Sequence, residues 1–415
     1  MPECIQSDSS STSNPIGDCF RQYGPEYIRL VKPPYLHRKI IRNIAQCKTP
    51  ALGGQRITCM GCGQTTYHYL SCVDRHCPLC QNIKKQLWID KMAHILFPIP
   101  HFHIIFTLPH QLNELLFYNQ KLLYGSFFES IKKALQYTAQ LELGGKVGVV
   151  ATLHTWGSNL SFHPHIHCIV SGGAFSPQKQ WHYSKKKHFF ANASLIQTTF
   201  KDFFLSKLLS HWENSDLWLG NNLNYLQHPT NFKAFFLHLK KIAWVVRIEK
   251  PMLGNTQIIE YLARYVRRVA ITNSRILEIK NDKITFQYNN YTQQKEGEPP
   301  PKATLQIGAI DFIGRFLQHV LPTHFQRIRY FGLYAFGAKQ GYQIAYQALQ
   351  NTPPTPHKKR STRQILMDTF GFNPDLCTNC GLLSSFIVER LPANPNFYFI
   401  TRSRPPNVVV NSQQP

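Results

Sequence analysis

Segment 160–170 constrains the fold most, because it combines β-forming apolar residues with two histidines one position apart, His165 and His167. The apolar flanks favour a strand. On a strand, side chains at i and i+2 point to the same side of the sheet. The pattern therefore predicts a sheet that directs two imidazoles at one divalent metal ion. His163 has the same parity and is expected as a third ligand, with His154 on the preceding predicted strand as the alternative.

A second pattern, Tyr261-Leu262-Ala263-Arg264-Tyr265, lies in a segment predicted to be helical over 256–269. Residues at i and i+4 share a helix face, and aromatic pairs at this spacing usually pack in a core. Here, however, several cations accompany the tyrosines, and a phosphate site favours them where an apolar core does not. These cations are Arg264 and Arg268, which are expected to act in catalysis, and Arg267 and Arg275, which are expected to contact DNA. We therefore predict that a tyrosine attacks a phosphate, with cations and metal favouring its phenolate.

The cysteines form two CxxC pairs, Cys59 with Cys62 and Cys77 with Cys80. Two such turns are typical of a tetrahedral zinc site, so we predict that these four thiolates hold one structural Zn²⁺. The alternative is a cluster of reduced thiols packed as small hydrophobic side chains. Two more cysteines and two histidines nearby raise the question of a second site: Cys47, Cys72, His68 and His76. The C-terminal pair Cys377 and Cys380 has no later partner, which suggests either a truncated ribbon or buried thiols.

The charge is strongly basic, with 46 Lys and Arg against 22 Asp and Glu, a formal net charge of +24. Such a balance favours a polyanionic partner, most simply nucleic acid, although a membrane-surface protein would share it. Within the cysteine module, Arg75, Lys84 and Lys85 are the predicted DNA contacts. The sequence has no apolar stretch of ~18 residues and no apolar run near its start, so we expect neither a membrane span nor a secretory signal.

Four regions are expected along the chain. They are a disordered start over 1–20, a zinc-binding and DNA-binding domain over 21–97, a catalytic domain over 98–340 and a basic, proline-rich tail with a lone CxxC over 341–415. Strands alternate with long helices, which predicts an α+β fold. Two local features are specific: a helix over 21–46 interrupted at Pro33-Pro34, and a hairpin over 274–288 that turns at Asn281-Asp282.

Several of these runs together resemble the rolling-circle transposases of the IS91 type, which belong to the HUH endonucleases. The resemblance rests on residues 163–168, on the tyrosine segment as far as Arg275, on residues 72–81, and on residues 312–322 and 327–333. It implies a central antiparallel sheet with flanking helices, preceded by a small zinc-binding domain. It also implies that His165 and His167 hold Mg²⁺ or Mn²⁺, and that Tyr261 or Tyr265 is the nucleophile.

The expected function is that of a DNA transposase. It would nick single-stranded DNA at element ends, hold the 5′ phosphate on tyrosine and transfer the strand to target DNA, in a bacterial cytoplasm next to the nucleoid. A replication initiator or relaxase would use the same chemistry. A regulator with a zinc finger would bind DNA without becoming linked to it, and a metallohydrolase would release its product free of protein.

Overall fold

The computed structural model describes residues 14–184, 191–253, 257–258, 269–295, 298–349 and 359–394. We number its helices α1 (Pro15–Val31), α2 (Tyr35–Gln46), α3 (Asn82–Ile95), α4 (Asn113–Tyr118), α5 (Gln120–Leu143), α6 (Ala193–Glu213), α7 (Pro229–Lys241), α8 (Ala309–Leu317), α9 (Lys339–Ala348) and α10 (Thr362–Phe370). The strands are β1 (Gly54–Cys59), β2 (Thr65–Tyr69), β3 (His101–Thr107), β4 (Gly148–Trp156), β5 (Phe162–Ser171), β6 (Gly173–Phe175), β7 (Trp181–Tyr183), β8 (Val245–Ile248), β9 (Ile276–Lys280), β10 (Lys283–Asn289), β11 (Lys302–Gly308), β12 (Ile328–Gly332) and β13 (Phe386–Leu391).

A five-stranded antiparallel sheet, in the order β12-β4-β5-β3-β8, forms the centre of the molecule. Nearly every residue of β3, β4 and β5 is buried, so both faces of these strands are covered. The expected α+β fold with a central antiparallel sheet is therefore confirmed. The strand that carries the histidine pair, β5, lies in the middle, where neighbours on both sides fix its position.

One face of this sheet is covered by α5 and α6 in the largest hydrophobic core. Helix α5 buries Leu123, Phe127, Ile131 and Leu135, which recur every four residues and so line one side of the helix. These residues meet the even-numbered residues of β5, such as Ile166, and Phe200 of α6. The odd-numbered residues of β5 must then lie on the opposite face, since side chains alternate along a strand.

That opposite face is covered in part by α3 and α9. Trp88 and Met92 of α3 pack with Val150 of β4 and Ile169 of β5. The indole N–H of Trp88 also donates to the hydroxyl of Tyr330 on β12 at 2.8 Å. His165 and His167 of β5 are on this face, next to the residues that pack against α3.

The N-terminal helices and β9–β11 form a second core with α8, in which Phe20 of α1 packs edge-on against Phe316 at 5.1 Å. As predicted, the first helix stops before Pro33-Pro34 and α2 begins after it. The helix begins at Pro15, however, so residues 15–20 are not disordered as expected: Ile16 and Phe20 are buried in this core. The hairpin of β9 and β10 turns at Asn281 and Asp282, which have φ of 50° and 57°. Two successive positive φ angles are typical of the tight turn that Asn and Asp favour.

A three-stranded sheet in the order β13-β1-β2 pairs a strand near residue 390 with the cysteine module. Its outer strand β13 comes from the segment that was expected to be a separate tail, and Gly54 and Cys59 of β1 pair with Leu391 and Phe386. Within the part of the chain that the structure describes, no helix combines the length and the apolar character that crossing a bilayer requires.

Candidate active site

Three imidazoles come together on the central sheet. His165 and His167 lie on β5, and His154 lies directly opposite His165 on β4. One ring nitrogen of each residue lies within 4.8 Å of the others, and the ring centroids of His154 and His167 are 4.6 Å apart. The i, i+2 spacing in the sequence thus does direct both β5 histidines to one point, and the register between β4 and β5 brings in the third.

His163 is not part of this group, which corrects the expectation that it would be the third ligand. Its side chain is exposed, although it has the same parity as His165. The pairing of β4 with β5 becomes irregular between His154 and Trp156, so this end of β5 is displaced from a regular register. What His163 contributes is its carbonyl oxygen, which lies 2.7 Å from His165 Nδ1.

These contacts indicate which nitrogens can bind a metal. Because a carbonyl only accepts, His165 Nδ1 carries the proton and donates, which leaves Nε2 with a free lone pair. Burial lowers the pKa of His165 to about 4, so the ring is neutral at pH 7. A neutral imidazole is the form that coordinates metal ions.

His103 on β3 supports the group from behind. Its Nε2 lies 2.9 Å from His167 Nδ1, and the two rings are nearly parallel. Burial, together with the positive charge of Arg247, lowers the pKa of His103 to about 3. His103 is therefore neutral and orients the His167 ring. The sequence held a signal for it, because His101-Phe102-His103 repeats the HxH pattern.

The donor set fits a divalent cation. Three imidazoles on one side leave coordination positions for water or phosphate oxygens, as in catalytic metal sites. Nitrogen ligands suit Mn²⁺ or Zn²⁺ better than Mg²⁺, which prefers oxygen. His154 and His167 are buried while His165 is partly exposed, so the group is accessible from the His165 side.

The predicted catalytic residues Tyr261, Arg264, Tyr265 and Arg268, together with Arg267, lie outside the described residues. The residues that flank them are described. Ile258 is buried in the core that contains Val150 and Ile169, on the histidine face of the sheet. At the other end of the tyrosine segment, Val269 and Ala270 line a cavity together with Trp156. The Trp156 ring stacks on His154, with the ring centroids 4.7 Å apart.

This cavity, of about 280 Å³, separates the cysteine module from the central sheet. Arg75, His76 and Gln81 line it from the module, and Trp156, His319 and Arg327 line it from the sheet side. The guanidinium of Arg327 lies 5.9 Å from the centre of the Trp156 ring. The cavity thus combines cations with an aromatic face next to the histidines, which is the chemistry that nucleic acids require.

The cysteine prediction needs correction. Cys77 and Cys80 group with Cys47 and Cys72, whereas Cys59 and Cys62 group with Cys377 and Cys380. The reason is the hairpin: Cys59 and Cys62 are at its turn, and Cys72 follows the far end of β2. A six-residue strand spans roughly 17 to 20 Å, so the two ends cannot share one ion.

The first group fits zinc. Cys80 Sγ lies 3.5 Å from Cys47 Sγ and 3.6 Å from Cys72 Sγ. Four sulfurs arranged tetrahedrally at ~2.3 Å from zinc are about 3.8 Å apart, close to these distances. Of the two histidines weighed for a second site, His76 instead contacts Asp74 through Nδ1 at 3.1 Å.

The described basic residues that were predicted to contact DNA already have protein partners. Arg75 donates to the carbonyls of Leu321, Pro322 and Phe325 at 2.8 to 3.1 Å, which fastens the cysteine module to the segment before β12. Arg275 donates through Nε to the carbonyl of Gln287 at 2.7 Å. Lys84 donates to the carbonyl of Val73 at 3.3 Å, and Lys85 also has a protein contact.

Both the cysteine module and the region of the central sheet match families of known proteins. Residues 148–341 match a family described as putative transposase, and residues 19–108 match the transposase zinc-binding domain of IS91-type proteins. A putative transposase, y4qJ, from Sinorhizobium fredii is 34% identical over 76% of this chain and 79% of its own length. The transposase for insertion sequence element IS801 from Pseudomonas savastanoi pv. phaseolicola is 28% identical over 82% and 81%. No solved structure matches. With a transposase zinc-binding domain, a transposase domain and this degree of identity, the chain belongs to the IS91-type transposases.

Proposed function

We propose that this transposase nicks single-stranded DNA with a tyrosine nucleophile and transfers the nicked strand to target DNA. The observation that carries the proposal is the group of His154, His165 and His167 on one face of the sheet. Residues on both sides of the tyrosine segment, Ile258 and Val269, lie near that face. A metal-binding group next to a segment with two tyrosines matches the needs of phosphotyrosine chemistry.

The cleavage step balances as follows. The phenol oxygen of Tyr261 or Tyr265 attacks the scissile phosphorus, and the bond from phosphorus to O3′ breaks. The phenol gives up its proton and the departing O3′ gains one, so the products are a free 3′-hydroxyl and a strand joined to the protein through its 5′ phosphate. The new phosphodiester retains the energy of the old one, and a 3′-hydroxyl of the target can reverse the reaction without ATP.

The protein's own groups prepare this step. His154, His165 and His167 would hold Mn²⁺ or Mg²⁺, which when bound polarises the scissile phosphate and favours the phenolate. The His163 carbonyl and His103 orient two of the three rings. Arg264 and Arg268, which accompany the tyrosines in the sequence, are proposed to neutralise phosphate charge.

Single-stranded DNA is the proposed substrate, because in-line attack needs a phosphate that can turn freely toward the tyrosine. The cavity beside the histidines supports this choice, since it is lined by an aromatic ring, Trp156, and by a cation, Arg327, the two kinds of group that bind single strands. Binding should weaken with salt by ~0.7 log units in K per log unit of salt for each phosphate neutralised.

The test uses labelled single strands tiled across the DNA on both sides of the coding sequence, incubated with the full chain and Mn²⁺ and run on denaturing gels. We expect a covalent protein–DNA band that the double variant Tyr261→Phe/Tyr265→Phe abolishes and that His154→Ala or His167→Ala reduces at least 100-fold. His163→Ala is the matched control, because it removes an exposed imidazole on the same strand and keeps the carbonyl; it should retain the band.

Cleavage that persists in the double tyrosine variant would contradict the proposal and favour hydrolysis by water. Binding without any covalent product, on all tiled strands, would favour a regulator that only binds DNA. Strand cleavage without transfer to a second oligonucleotide would contradict the transfer step of the proposal.

A further inference from the structure

The last cysteine pair of the chain has a partner far away in sequence. Cys377 and Cys380 lie against Cys59 and Cys62, and the Sγ atoms of Cys62 and Cys377 are 3.7 Å apart. Cys59 and Cys377 are buried, Cys380 is partly buried and Cys62 is exposed. Cys377 and Cys380 lie beyond both regions that match transposase families, so the zinc-binding domain as it is matched, over 19–108, contains only half of this group.

The two turns that carry these cysteines have the same backbone geometry. Each is a CxxCG sequence, with Gly63 or Gly381 directly after the second cysteine at φ of 72° and 69°. In the first turn the N–H of Gly63 donates to the carbonyl of Cys59 at 2.9 Å, and in the second the N–H of Gly381 donates to the carbonyl of Cys377 at 2.9 Å. The positive φ explains why glycine is required at both places.

A further hydrogen bond also repeats. The N–H of Cys59 donates to the carbonyl of Gln64, and the N–H of Cys377 donates to that of Leu382, at 2.9 and 3.0 Å. Two turns of one shape, facing each other with four sulfurs between them, are the arrangement that a tetrahedral thiolate site needs. A chance meeting of buried thiols would not require the turns to match.

Polar neighbours complete the group. Ser384 Oγ lies 3.1 Å from Cys59 Sγ and accepts the N–H of Gly61 at 3.2 Å. The side-chain amide of Asn379 lies 3.6 Å from Cys62 Sγ, with its N–H groups as donors. Hydrogen bonds of this kind stabilise thiolates and fix their direction, as outer contacts do at metal sites.

We infer that Cys59, Cys62, Cys377 and Cys380 bind a second structural zinc ion, which fastens the segment over 359–394 to the N-terminal cysteine module. Four thiolates in tetrahedral positions select zinc among the common divalent metals, with iron as the rival. The inference does not depend on the nicking chemistry.

Strand β13, which follows the Cys377–Cys380 turn, is held weakly by packing. In β13, the four inner residues are exposed, and Ile387 and Val388 are 47% and 53% exposed. Hydrophobic burial therefore contributes little to holding β13 on β1. Its side-chain ion pair, Arg56 with Glu389, is also exposed, and such pairs stabilise weakly. A metal ion bound by both turns supplies the attachment that packing does not.

The test measures zinc per chain in the purified full-length protein by mass spectrometry. The double variant Cys377→Ser/Cys380→Ser should contain one zinc fewer than the parent and keep the zinc of the Cys47 group. Cys62→His should retain the full amount, because histidine can replace an exposed thiolate ligand. Cys19→Ala is the matched control: it removes a buried thiol that lies outside both groups and should leave the ratio unchanged.

Limited proteolysis distinguishes the loss of this zinc ion from unfolding of the whole protein. In limited proteolysis, the double serine variant should release the C-terminal segment at least tenfold faster than the parent, while the central sheet stays intact. An unchanged zinc ratio in that variant would overturn the inference, as would an equal loss in Cys19→Ala or the finding of iron in place of zinc.

Discussion

Replacing His103 by phenylalanine tests whether the metal-binding group depends on support from behind. The ring of His103 is buried on β3, and its Nε2 lies 2.9 Å from Nδ1 of His167. Phenylalanine keeps a ring of similar size in this position and removes the hydrogen bond. The change leaves all three proposed ligands in the chain.

The expected loss of Mn²⁺ affinity follows from the position of His103, which contacts a proposed ligand and not the metal itself. Loss of such an outer partner typically lowers metal affinity 10- to 100-fold. This corresponds to about 1.4 to 2.7 kcal/mol, in the range of one buried hydrogen bond. Because all three ligands remain, cleavage should recover when Mn²⁺ is raised by the same factor. His167→Ala, which removes a ligand, should not recover.

In the assay, the variant is titrated with Mn²⁺. Calorimetry gives the Mn²⁺ affinity, and denaturing gels give the amount of covalent protein–DNA product at each Mn²⁺ concentration. His101→Phe is the matched control, since it also removes a buried histidine hydrogen bond from β3, to Tyr334 at 2.7 Å, away from the metal-binding group. It should lower stability without changing Mn²⁺ affinity. If His103→Phe binds Mn²⁺ within twofold of the parent and remains folded, the proposed role of His103 is wrong.

Three further predictions concern stability. Phe127→Ala should lower the free energy of unfolding by about 3 to 5 kcal/mol in chemical denaturation, because the side chain is fully buried against Phe200; a loss below 1 kcal/mol would contradict the core described above. Burial lowers the pKa of His101 to about 4, so the unfolded chain binds a proton at this residue more tightly than the folded chain does. The free energy of unfolding should therefore fall as pH drops from about 6.5 toward 4. In thermal unfolding, the melting temperature of His101→Gln should fall less steeply over this pH range than that of the parent. Arg75→Lys should cost about 1 to 2 kcal/mol, because one ammonium cannot reach three carbonyls as the guanidinium does; equal melting temperatures for Arg75→Lys and the parent would refute this.

Local patterns in the sequence predicted local structure well. The alternation around His165 and His167 predicted a strand with both rings on one face, and Asn281-Asp282 predicted the hairpin turn. Each of these depends on residues a few positions apart, whose geometry the backbone itself dictates. The break at Pro33-Pro34 has the same origin, since two successive prolines lack the N–H donors that the next helical turn needs.

Contacts between distant segments could not be predicted in the same way. Spacing shows that Cys59 and Cys62 can bind one ion together, but it does not show which second pair completes the site. The nearest pair along the chain was the wrong partner because β1 and β2 separate the two ends of the hairpin. In the same way, the choice of His154 over His163 depends on the strand register and its irregularity near Trp156.

The pairing of β1 with β13 has a consequence for synthesis on the ribosome. Cys62 and Cys377 are 315 residues apart, so at ~5–20 residues per second the second turn emerges roughly 15 to 60 s after the first. Before that interval ends, the last strand of the central sheet, β12, has been synthesised and the sheet can fold, while one edge of β1 is still unpaired. A nascent chain therefore passes through a stage in which its central sheet is built and its first small sheet is still open.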